Sequence, residues 1–439
     1  MTKNLIINNK FLDFNKKISI SGDKSLSIRW VLFASIATGK SKAYNLLLSE
    51  DVLAAINSIR KFGIRVNVNK KFCEIDGKGI NGYRFKKKTI LNAKNSGTFG
   101  RLIMGLLVNS PVEVKIIGDK SLSKRDFKRV ADPLKKFGAL IKLNNNKGLP
   151  LTIKGSNNTK PINYLEKKGS AQCKSSVIFA ALKTPGTTLI KAKKSRNHTE
   201  LLCKYLNLPV KVKSLKNYDL IKINRASKLD PLNYDIPSDI SSAAFFIVLT
   251  ALNKKSKLLI HKVNINPSRI GVITILKKMG VKIYFKNKKN YKGELIADIL
   301  VQSPKKLRSI NCPSNLNSSA IDEFLIIFLV AAKAEGVSHF RGLSELNQKE
   351  SPRLDWGAKI LNMMGIKTIT TKNSIKIFGN PHLKVNKKIT IKNYLKDHRV
   401  FMTSVIAAVS FGGQWNIHDK DSIKTSFPTF LNILNGLKK

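Results

Sequence analysis

The sequence has few acidic residues and few cysteines. It contains 27 Asp and Glu against 80 Lys and Arg, which gives a formal net charge of +53. Its four cysteines, Cys73, Cys173, Cys203 and Cys312, lie far apart and form no CxxC pair. That spacing predicts neither a zinc site nor a disulfide framework, and it suits the reducing environment of the cytosol.

Long apolar runs, targeting signals and cofactor motifs are also missing. No span approaches the roughly 18 apolar residues of a membrane helix, and residues 1–10 lack an apolar stretch followed by a cleavage site. We therefore expect a cytoplasmic protein without a membrane partner. Because metal-binding motifs and nucleotide-binding loops are absent, we expect no metal and no cofactor.

The excess of Lys has two interpretations. One is a basic nucleic-acid-binding protein, which usually concentrates its cations in one arm or one helical stripe. Here the Lys residues are scattered among Asn and Ile along the whole chain. We interpret the excess as a compositional bias at solvated positions and expect no specific nucleic-acid partner, although such a field still attracts small anions.

The length of 439 residues predicts two domains of similar size, because single hydrophobic cores usually stop growing at about 250 to 300 residues. Six helices are nearly all apolar and are predicted to be buried. Six amphipathic helices alternate with them, and most end before a Gly that favours a left-handed cap. The buried helices are predicted at residues 25–38, 98–108, 171–182, 241–252, 319–334 and 399–411, and the amphipathic helices at residues 51–62, 127–137, 199–206, 267–279, 352–364 and 427–437.

This alternation predicts an α/β protein. Short runs with apolar residues at alternate positions, such as Val281–Phe285, predict strands between the helices. The recurring unit contains two helices and several strands and repeats about every 70 to 80 residues. Six such units suggest three units in each of two domains.

Polar and charged residues cluster where the buried helices begin. The unpaired N–H groups and the positive end of the helix dipole make these starts natural anion sites. Lys24 and Ser25 begin the first buried helix, and Arg29 lies one turn beyond Ser25 on the same face. Taken alone, this start is equally consistent with a Ser cap and solvated cations. Other starts in the first half carry Asn95, Gly97, Thr98 and Arg101, the basic turn that ends in Arg125, and Ser170, Ala171 and Gln172.

The second half of the sequence supplies carboxylates. Asp322 is predicted on the first turn of the fifth buried helix, where it would need a cation or a helix dipole to stay ionised. Ser351 and Pro352 are predicted as the N-cap and first residue of a helix, so that Glu350 and Arg353 project around its start. Together the helix starts indicate a polyanionic substrate pair and acid–base chemistry.

These segments occur in a particular order over nearly the whole chain. They are Lys24–Arg29, Asn95–Thr98 with Arg101, Gly118–Arg125, Ser170–Gln172, Ser195–Glu200, Lys349–Ser351 with Arg353, and Asp397–Arg399. The ordered set resembles the 5-enolpyruvylshikimate-3-phosphate (EPSP) synthases. Each motif is modest singly, and the order makes the resemblance specific.

The resemblance implies a fold and a domain organisation. The family fold has two similar domains, each of three βαβαββ units around buried helices, like an inverse α/β barrel. The chain would cross between domains near Ser19–Ser21 and again near Pro237–Asp239. Residues 21–238 would then form the N-terminal domain, and residues 1–20 with 239–439 the C-terminal domain. The active site would lie in the cleft between them, in a monomer.

The resemblance also implies a reaction, in which the enolpyruvyl group of phosphoenolpyruvate is transferred to the 5-hydroxyl of shikimate 3-phosphate and phosphate is released. Asp322 would take the hydroxyl proton, Glu350 would protonate the methylene carbon, and Lys24 would assist. The shikimate 3-phosphate site would comprise Lys24, Ser25, Arg29, Ser170, Ala171, Gln172, Ser195, Arg196, Asp322 and Lys349. The phosphoenolpyruvate site would comprise Lys24, Asn95, Gly97, Arg125, Gln172, Arg353 and Arg399.

Some positions depart from the family pattern. Phe99 stands where a small residue is usual and would narrow the phosphoenolpyruvate pocket, and Pro352 stands where Asp is usual. Lys424 is displaced by one position from a Lys that some members carry. Ile28 and Asn197 also differ from the usual Asn and Asp.

Two further interpretations stay open. The enolpyruvyl transferase that acts on UDP-N-acetylglucosamine shares the fold, but it carries a Cys in a mobile loop near the position of residues 118–125, where this chain has none. An inactive relative kept for a binding role is the other. The presence of Lys24, Asp322, Glu350, Arg353 and Arg399 argues against it.

Overall fold

The structure is a computed structural model that describes residues 4–69 and 71–438. Helices and strands alternate along the described part of the chain. The strands are β1 (Leu5–Ile7), β2 (Asn15–Ile18), β3 (Thr38–Tyr44), β4 (Arg65–Val68), β5 (Phe72–Lys78), β6 (Thr89–Asn92), β7 (Glu113–Ile117), β8 (Leu140–Asn144), β9 (Gly148–Lys154), β10 (Asn163–Glu166), β11 (Thr187–Lys193), β12 (Val210–Ser214), β13 (Tyr218–Asn224), β14 (Tyr234–Asp235), β15 (Lys257–Asn264), β16 (Lys282–Tyr291), β17 (Glu294–Gln302), β18 (Val337–Arg341), β19 (Thr368–Thr371), β20 (Ser374–Phe378), β21 (Lys388–Ile391) and β22 (Gln414–Ile417). The α-helices are α1 (Lys24–Ile36), α2 (Glu50–Arg60), α3 (Gly97–Leu106), α4 (Lys120–Ser123), α5 (Lys128–Lys136), α6 (Ala171–Ala181), α7 (His198–Tyr205), α8 (Ile240–Leu252), α9 (Gly271–Lys278), α10 (Asn317–Ala320), α11 (Phe324–Lys333), α12 (Arg353–Met363), α13 (His398–Phe411) and α14 (Phe430–Gly436).

The chain folds into two compact units, each with its own hydrophobic core. The N unit comprises Gly22–Ile236 together with Tyr291–Glu294. The C unit comprises Met1–Ser21, Pro237–Asn290 and Leu295–Lys439. Two of these bounds lie close to the crossings expected from the sequence, whereas the assignment of Tyr291–Glu294 to the N unit was not expected.

The N unit contains three sheets that share one topology. The strand orders are β6-β7-β9-β8, β10-β11-β13-β12 and β14-β3-β5-β4. In each sheet the first pair is parallel and the other two pairs are antiparallel. A buried helix precedes the second strand and an amphipathic helix follows it, as in β6-α3-β7-α5-β8-β9. This is the βαβαββ unit implied by the resemblance.

The C unit follows the same plan, and the start of the chain completes two of its sheets. Strand β2 pairs in parallel with β15 in the sheet β16-β17-β15-β2, and β1 pairs antiparallel with β22 in the sheet β1-β22-β21. The third sheet, β18-β20-β19, has three strands. Two isolated parallel bridges, Arg308 with Glu335 and Asn311 with His339, occur where the other sheets have a parallel strand. Strands β1 and β2 are therefore built into the C unit.

Five of the six predicted buried helices are continuous, namely α1, α3, α6, α8 and α13. The prediction of a continuous fifth helix over residues 319–334 is wrong, because α10 ends at Ala320 and α11 begins at Phe324, with a turn between them. Arg399 Nη1 donates to the backbone oxygen of Asp322 at 2.6 Å. This bond takes the carbonyl out of the helical hydrogen-bond ladder, so Asp322 lies in the turn rather than on a helix.

Helices α3 and α6 approach closely at Gly105. A Cβ on Gly105 would lie 2.1 Å from the backbone oxygen of Ser176, far inside van der Waals contact. The hydroxyl of Ser176 in turn donates to the backbone oxygen of Arg101 at 2.9 Å. The packing of these two helices therefore requires a residue without a side chain at position 105.

We expect Gly105→Ala to lower the free energy of unfolding by about 1 to 3 kcal/mol, because the added methyl forces α3 and α6 apart. The matched control is Gly436→Ala in α14, where no atom lies within 4 Å of the added Cβ. There the better helix propensity of Ala should leave stability unchanged or raise it by up to about 1 kcal/mol. Urea unfolding of both variants measures the difference, and equal stabilities would contradict the close approach.

Candidate active site

Arg29 joins the starts of three helices in the N unit. Its Nε donates to Thr199 Oγ1 at 2.8 Å, its Nη2 to Ser175 Oγ at 3.0 Å, and its Nη1 to the backbone oxygen of Ser25 at 3.1 Å. Burial lowers the pKa of Arg29 to about 10, and the side chain stays protonated at neutral pH. A fixed positive charge thus lies beneath the start of α1.

Ser25 lies in the first turn of α1 but is not its N-cap. Asp23 is the N-cap, since its carboxylate accepts a hydrogen bond from the amide of Leu26 at 2.8 Å. The ammonium group of Lys24 lies 3.0 Å from Asp51 Oδ2, in a side chain that is partly exposed. The interpretation of Ser25 as a helix cap is therefore wrong.

Two guanidinium groups converge at the start of α3. Arg125 Nη2 donates to Asn95 Oδ1 at 3.1 Å, and Arg101 Nη1 donates to Gln172 Oε1 at 2.7 Å. A Cβ on Gly97 would lie 2.8 Å from Arg101 Nη1 and 3.2 Å from Arg125 Nη1. The structure brings Asn95, Gly97, Arg125 and Gln172 together, as an anion site would require.

Arg101 was not among the site residues expected from the sequence, although it lies one turn beyond Gly97. Burial lowers the pKa of Arg101 to about 9, and the nearby charge of Arg129 contributes. Ser96 caps α3 by accepting from the amide of Phe99 at 3.3 Å. Thr98, a further candidate for the cap in this segment, does not cap the helix, and its hydroxyl accepts from Gln172 Nε2 at 2.9 Å.

Phe99 is wholly buried in the core of the N unit. Ser170 is the N-cap of α6, whose first residue is Ala171, and it accepts from the amide of Cys173 at 3.3 Å. Ser195 Oγ is buried and makes no hydrogen bond within the part of the chain that the structure describes. That hydroxyl has unused hydrogen-bonding capacity.

Arg353 is the centre of a second cluster, in the C unit. Its side chain is 2% exposed and contacts three carboxylates. Nε lies 2.9 Å from Asp397 Oδ2, Nη1 lies 3.4 Å from Asp322 Oδ1, and Nη2 donates to Glu350. Burial alone would lower the pKa of Arg353, but the charges of Asp397 and Glu350 outweigh it and raise the pKa.

Asp397 was not expected to be a site residue, yet it organises this cluster. It caps α13 by accepting from the amide of Arg399 at 2.9 Å, and it accepts from the hydroxyl of Ser351 at 2.9 Å. Burial would raise the pKa of Asp397, but the charge of Arg353 outweighs it and lowers the pKa. Asp397 is therefore an ionised, buried anchor for Arg353.

The N-cap expected at Ser351 is wrong because Asp397 takes its hydroxyl. Pro352 occupies the cap position of α12, and Arg353 is the first helical residue. The amide of Leu354 is satisfied instead by Asn347 Oδ1, at 2.9 Å. The side chain that caps the helix thus comes from seven residues earlier in the chain.

Cations surround Asp322. Lys349 Nζ lies 3.2 Å from its Oδ1, and Arg399 binds its backbone oxygen. Arg399 Nη1 also lies 3.7 Å from the buried carboxylate of Glu323. Asp322, Lys349, Glu350, Arg353 and Arg399 are therefore one cluster of two carboxylates and three cations. Lys424 pairs with Asp421 at 2.9 Å, and both side chains are exposed.

No group of three or more His, Cys, Asp or Glu residues within 4–69 and 71–438 is arranged to hold a metal ion. Over the same residues, none of the helices has the length and apolar character needed to cross a membrane.

Comparisons with known proteins show the fold and then the family. The enolpyruvyl transferase NikO from Streptomyces tendae shares the fold, with a TM-score of 0.78 over 100% of this chain and 98% of that chain, at 14% sequence identity. An EPSP synthase structure from Acinetobacter baumannii is 34% identical, with a TM-score of 0.87 over 99% of this chain and 98% of that one.

Sequence relatives agree with the comparison of structures. A 3-phosphoshikimate 1-carboxyvinyltransferase of Ruthia magnifica subsp. Calyptogena magnifica is 39% identical over 421 residues, which are 96% of this chain and 94% of the relative. The family model of EPSP synthase (3-phosphoshikimate 1-carboxyvinyltransferase) matches residues 9–434. The chain belongs to the EPSP synthase family. The family resemblance and the α/β fold class predicted from the sequence are confirmed.

We expect Asp397→Asn to lower the free energy of unfolding by about 3 kcal/mol, because it removes the buried countercharge of Arg353. The stabilising contribution is complete above the ordinary Asp pKa of about 3.9 and is lost as the pH falls through the lower folded-state pKa. The difference from wild type should therefore shrink below about pH 4.

The matched control is Asp421→Asn, which breaks the exposed pair with Lys424 and should change stability by less than about 1 kcal/mol. Urea unfolding at pH 7 and at lower pH measures both variants. An Asp397→Asn protein as stable as the control would show that the buried pair contributes nothing.

Proposed function

We propose that the chain transfers the enolpyruvyl group of phosphoenolpyruvate to the 5-hydroxyl of shikimate 3-phosphate and releases phosphate. The observation that carries this proposal is the C-unit cluster, in which Asp322 and Glu350 lie among Lys349, Arg353 and Arg399. Paired acids among fixed cations suit proton transfer between two polyanions. Membership of the EPSP synthase family supports the choice of acceptor.

The N-unit residues are assigned mainly to the acceptor. The starts of α1, α6 and α7 meet around Arg29, whose buried charge favours a phosphate or carboxylate at these helix ends. Ser195 has a hydroxyl available for such an anion. Shikimate 3-phosphate is assigned to Lys24, Ser25, Arg29, Ser170, Ala171, Gln172, Ser195 and Arg196, with Asp322 and Lys349 from the C unit.

Phosphoenolpyruvate is assigned mainly to arginines and to residues that contact arginines. Arg125 and Gln172 flank Gly97 at the start of α3, where the missing side chain lets the guanidinium groups of Arg101 and Arg125 lie close to the backbone. Arg353 and Arg399 of the C unit would contribute further positive charge to the same ligand. The full set is Lys24, Asn95, Gly97, Arg125, Gln172, Arg353 and Arg399, so the proposal requires both units to act on one substrate pair.

Proton transfers then follow from the two acids. Asp322 accepts the proton of the 5-hydroxyl while the hydroxyl oxygen bonds to C2 of phosphoenolpyruvate. Glu350 donates a proton to the methylene carbon C3. The resulting tetrahedral ketal loses phosphate from C2, and the Glu350 carboxylate takes back a proton from C3, which restores the double bond in the product. The proton held by Asp322 leaves with the phosphate. Lys24 supplies positive charge near the transferred group.

Substrate binding explains how Glu350 obtains its proton. In the structure Arg353 donates to Glu350, which favours the ionised carboxylate. An anionic ligand at Arg353 would compete for that guanidinium and place negative charge beside Glu350. Both effects favour the protonated acid, so the acid would be formed where it is needed.

The cytosolic location and the monomeric state expected from the sequence belong to this proposal. All four cysteines are buried free thiols, which suits a reducing compartment.

The choice of acceptor is tested by phosphate release from phosphoenolpyruvate. We expect release with shikimate 3-phosphate and none with UDP-N-acetylglucosamine, because the chain belongs to the EPSP synthase family. Release only with the UDP-sugar would favour the alternative transferase. Release with neither would overturn the proposed function, and specific nucleic-acid binding at physiological salt would then revive the other interpretation.

The acid–base roles are tested by Asp322→Asn and Glu350→Gln. Each should lower kcat by about 10²- to 10⁴-fold while changing the dissociation constant of shikimate 3-phosphate only slightly. Glu335→Gln, at an exposed pair with Lys306, is the control and should keep full turnover. Unchanged kcat in either site variant would refute its assigned role.

A further inference from the structure

The segment Tyr291–Glu294 joins β16 to β17, two strands of the C unit, but it packs as part of the N unit. Gly293 has a φ of +86°, and a Cβ there would lie 2.7 Å from the backbone oxygen of Leu201 in α7. The hydroxyl of Tyr291 accepts from the amide of Asp235 at 3.0 Å. The turn is therefore closely fitted to α7 and β14 rather than being a free loop.

Glu294, at the end of this turn, forms a buried pair with the first residue of α7. Its Oε1 lies 2.7 Å from His198 Nδ1, and both side chains are 0% exposed. If Glu294 is ionised it can only accept, and Nδ1 of His198 then carries the hydrogen. Burying a carboxylate is costly unless donors compensate it, so the contact with His198 helps to hold Glu294 in place.

The pair lies next to the residues assigned to the acceptor. His198 directly follows Ser195, Arg196 and Asn197 in the chain. Among the charges that act on buried Arg29, Glu294 raises its pKa and Arg196 lowers it. Glu294 and Arg196 are therefore opposite charges in the same neighbourhood.

The start of α7 is fixed from two sides. Thr199 accepts from Arg29 on one side, and His198 binds Glu294 on the other. Both contacts restrain the backbone that enters α7, and with it the two residues before Asn197. Loss of the His198 contact would remove one of these restraints.

We propose that Glu294 is a positioning residue for the acceptor. Through His198 it holds the start of α7, and with it Ser195 and Arg196, in the orientation that binds the anionic groups of shikimate 3-phosphate. This inference rests on the proposed function and adds to it a residue from the β16–β17 turn. The phosphoenolpyruvate residues lie on other segments, so the effect should be confined to one substrate.

The test is Glu294→Gln in the full chain, with steady-state kinetics for both substrates. We expect KM for shikimate 3-phosphate to rise about tenfold, since a displaced binding loop weakens substrate and transition state alike. Turnover at saturation and KM for phosphoenolpyruvate should stay within about twofold. Glu294→Asp keeps the charge on a shorter side chain and should give an intermediate KM. It is also the second variant should the Gln protein not fold.

The matched control is Asp298→Asn on β17 of the same hairpin. Asp298 also pairs with a histidine, His261 at 3.6 Å, but within the C unit and partly exposed. It should leave both KM values unchanged. A double-mutant cycle with His198→Gln adds a second check, because the Glu294→Gln effect on KM should largely disappear when His198 is already absent.

Three results would overturn the positioning role. These are an unchanged KM for shikimate 3-phosphate despite lower stability, an equal rise in KM for both substrates, and additive effects of the two substitutions. Wild-type protein that releases no phosphate at all would instead overturn the proposed function.

Discussion

Both clusters depend on one constraint, which is that the amide groups in the first turn of a buried helix need hydrogen-bond partners. An apolar helix inside a core has amide groups at its start that need partners, so a polar residue must be placed there. The residues that fill this role by accepting from a nearby amide are Asp23, Ser96, Ser170, Asp239 and Asp397. Once these starts are polar, cations and hydroxyls beside them can hold anions, and the site follows from the core.

Acidic residues are scarce in this chain, and a third of them are buried. Nine of the 27 Asp and Glu residues are buried, and none of the residues outside the described ranges is acidic. The buried nine are Asp23, Asp51, Glu166, Glu200, Asp219, Asp239, Glu294, Glu323 and Asp397. Several of them hold a cation in place, as Asp397 holds Arg353 and Glu200 holds Lys174 at 2.6 Å. The net charge of +53 thus coexists with a few anions placed where they fix cations.

Local pattern was enough to predict much of the fold. Helices that are apolar all round were visible in the sequence because burial on every side leaves no polar face. Lys24 and Gly97 were found because they lie at those helix starts, and Arg353 because it lies at the start of an amphipathic helix. Their family motifs then supplied the roles that spacing alone left open.

Contacts between distant segments account for what the sequence did not reveal. The break before α11 depends on Arg399, which reaches the Asp322 carbonyl from 77 residues away. The part played by Asp397 depends on Arg353, and that of Arg101 on Gln172, 71 residues away. The docking of Tyr291–Glu294 on the N unit likewise rests on contacts such as His198 with Glu294, 96 residues apart. No periodicity or local motif encodes such pairs.

The proposed function requires residues of both units to act on one substrate pair. The decisive experiment is a crystal structure of the chain with shikimate 3-phosphate and a phosphoenolpyruvate analogue. We expect Lys24 and Ser195 from the N unit and Asp322, Glu350 and Arg399 from the C unit to contact the same bound pair. Ligands held by one unit alone, with the other cluster facing solvent, would contradict it.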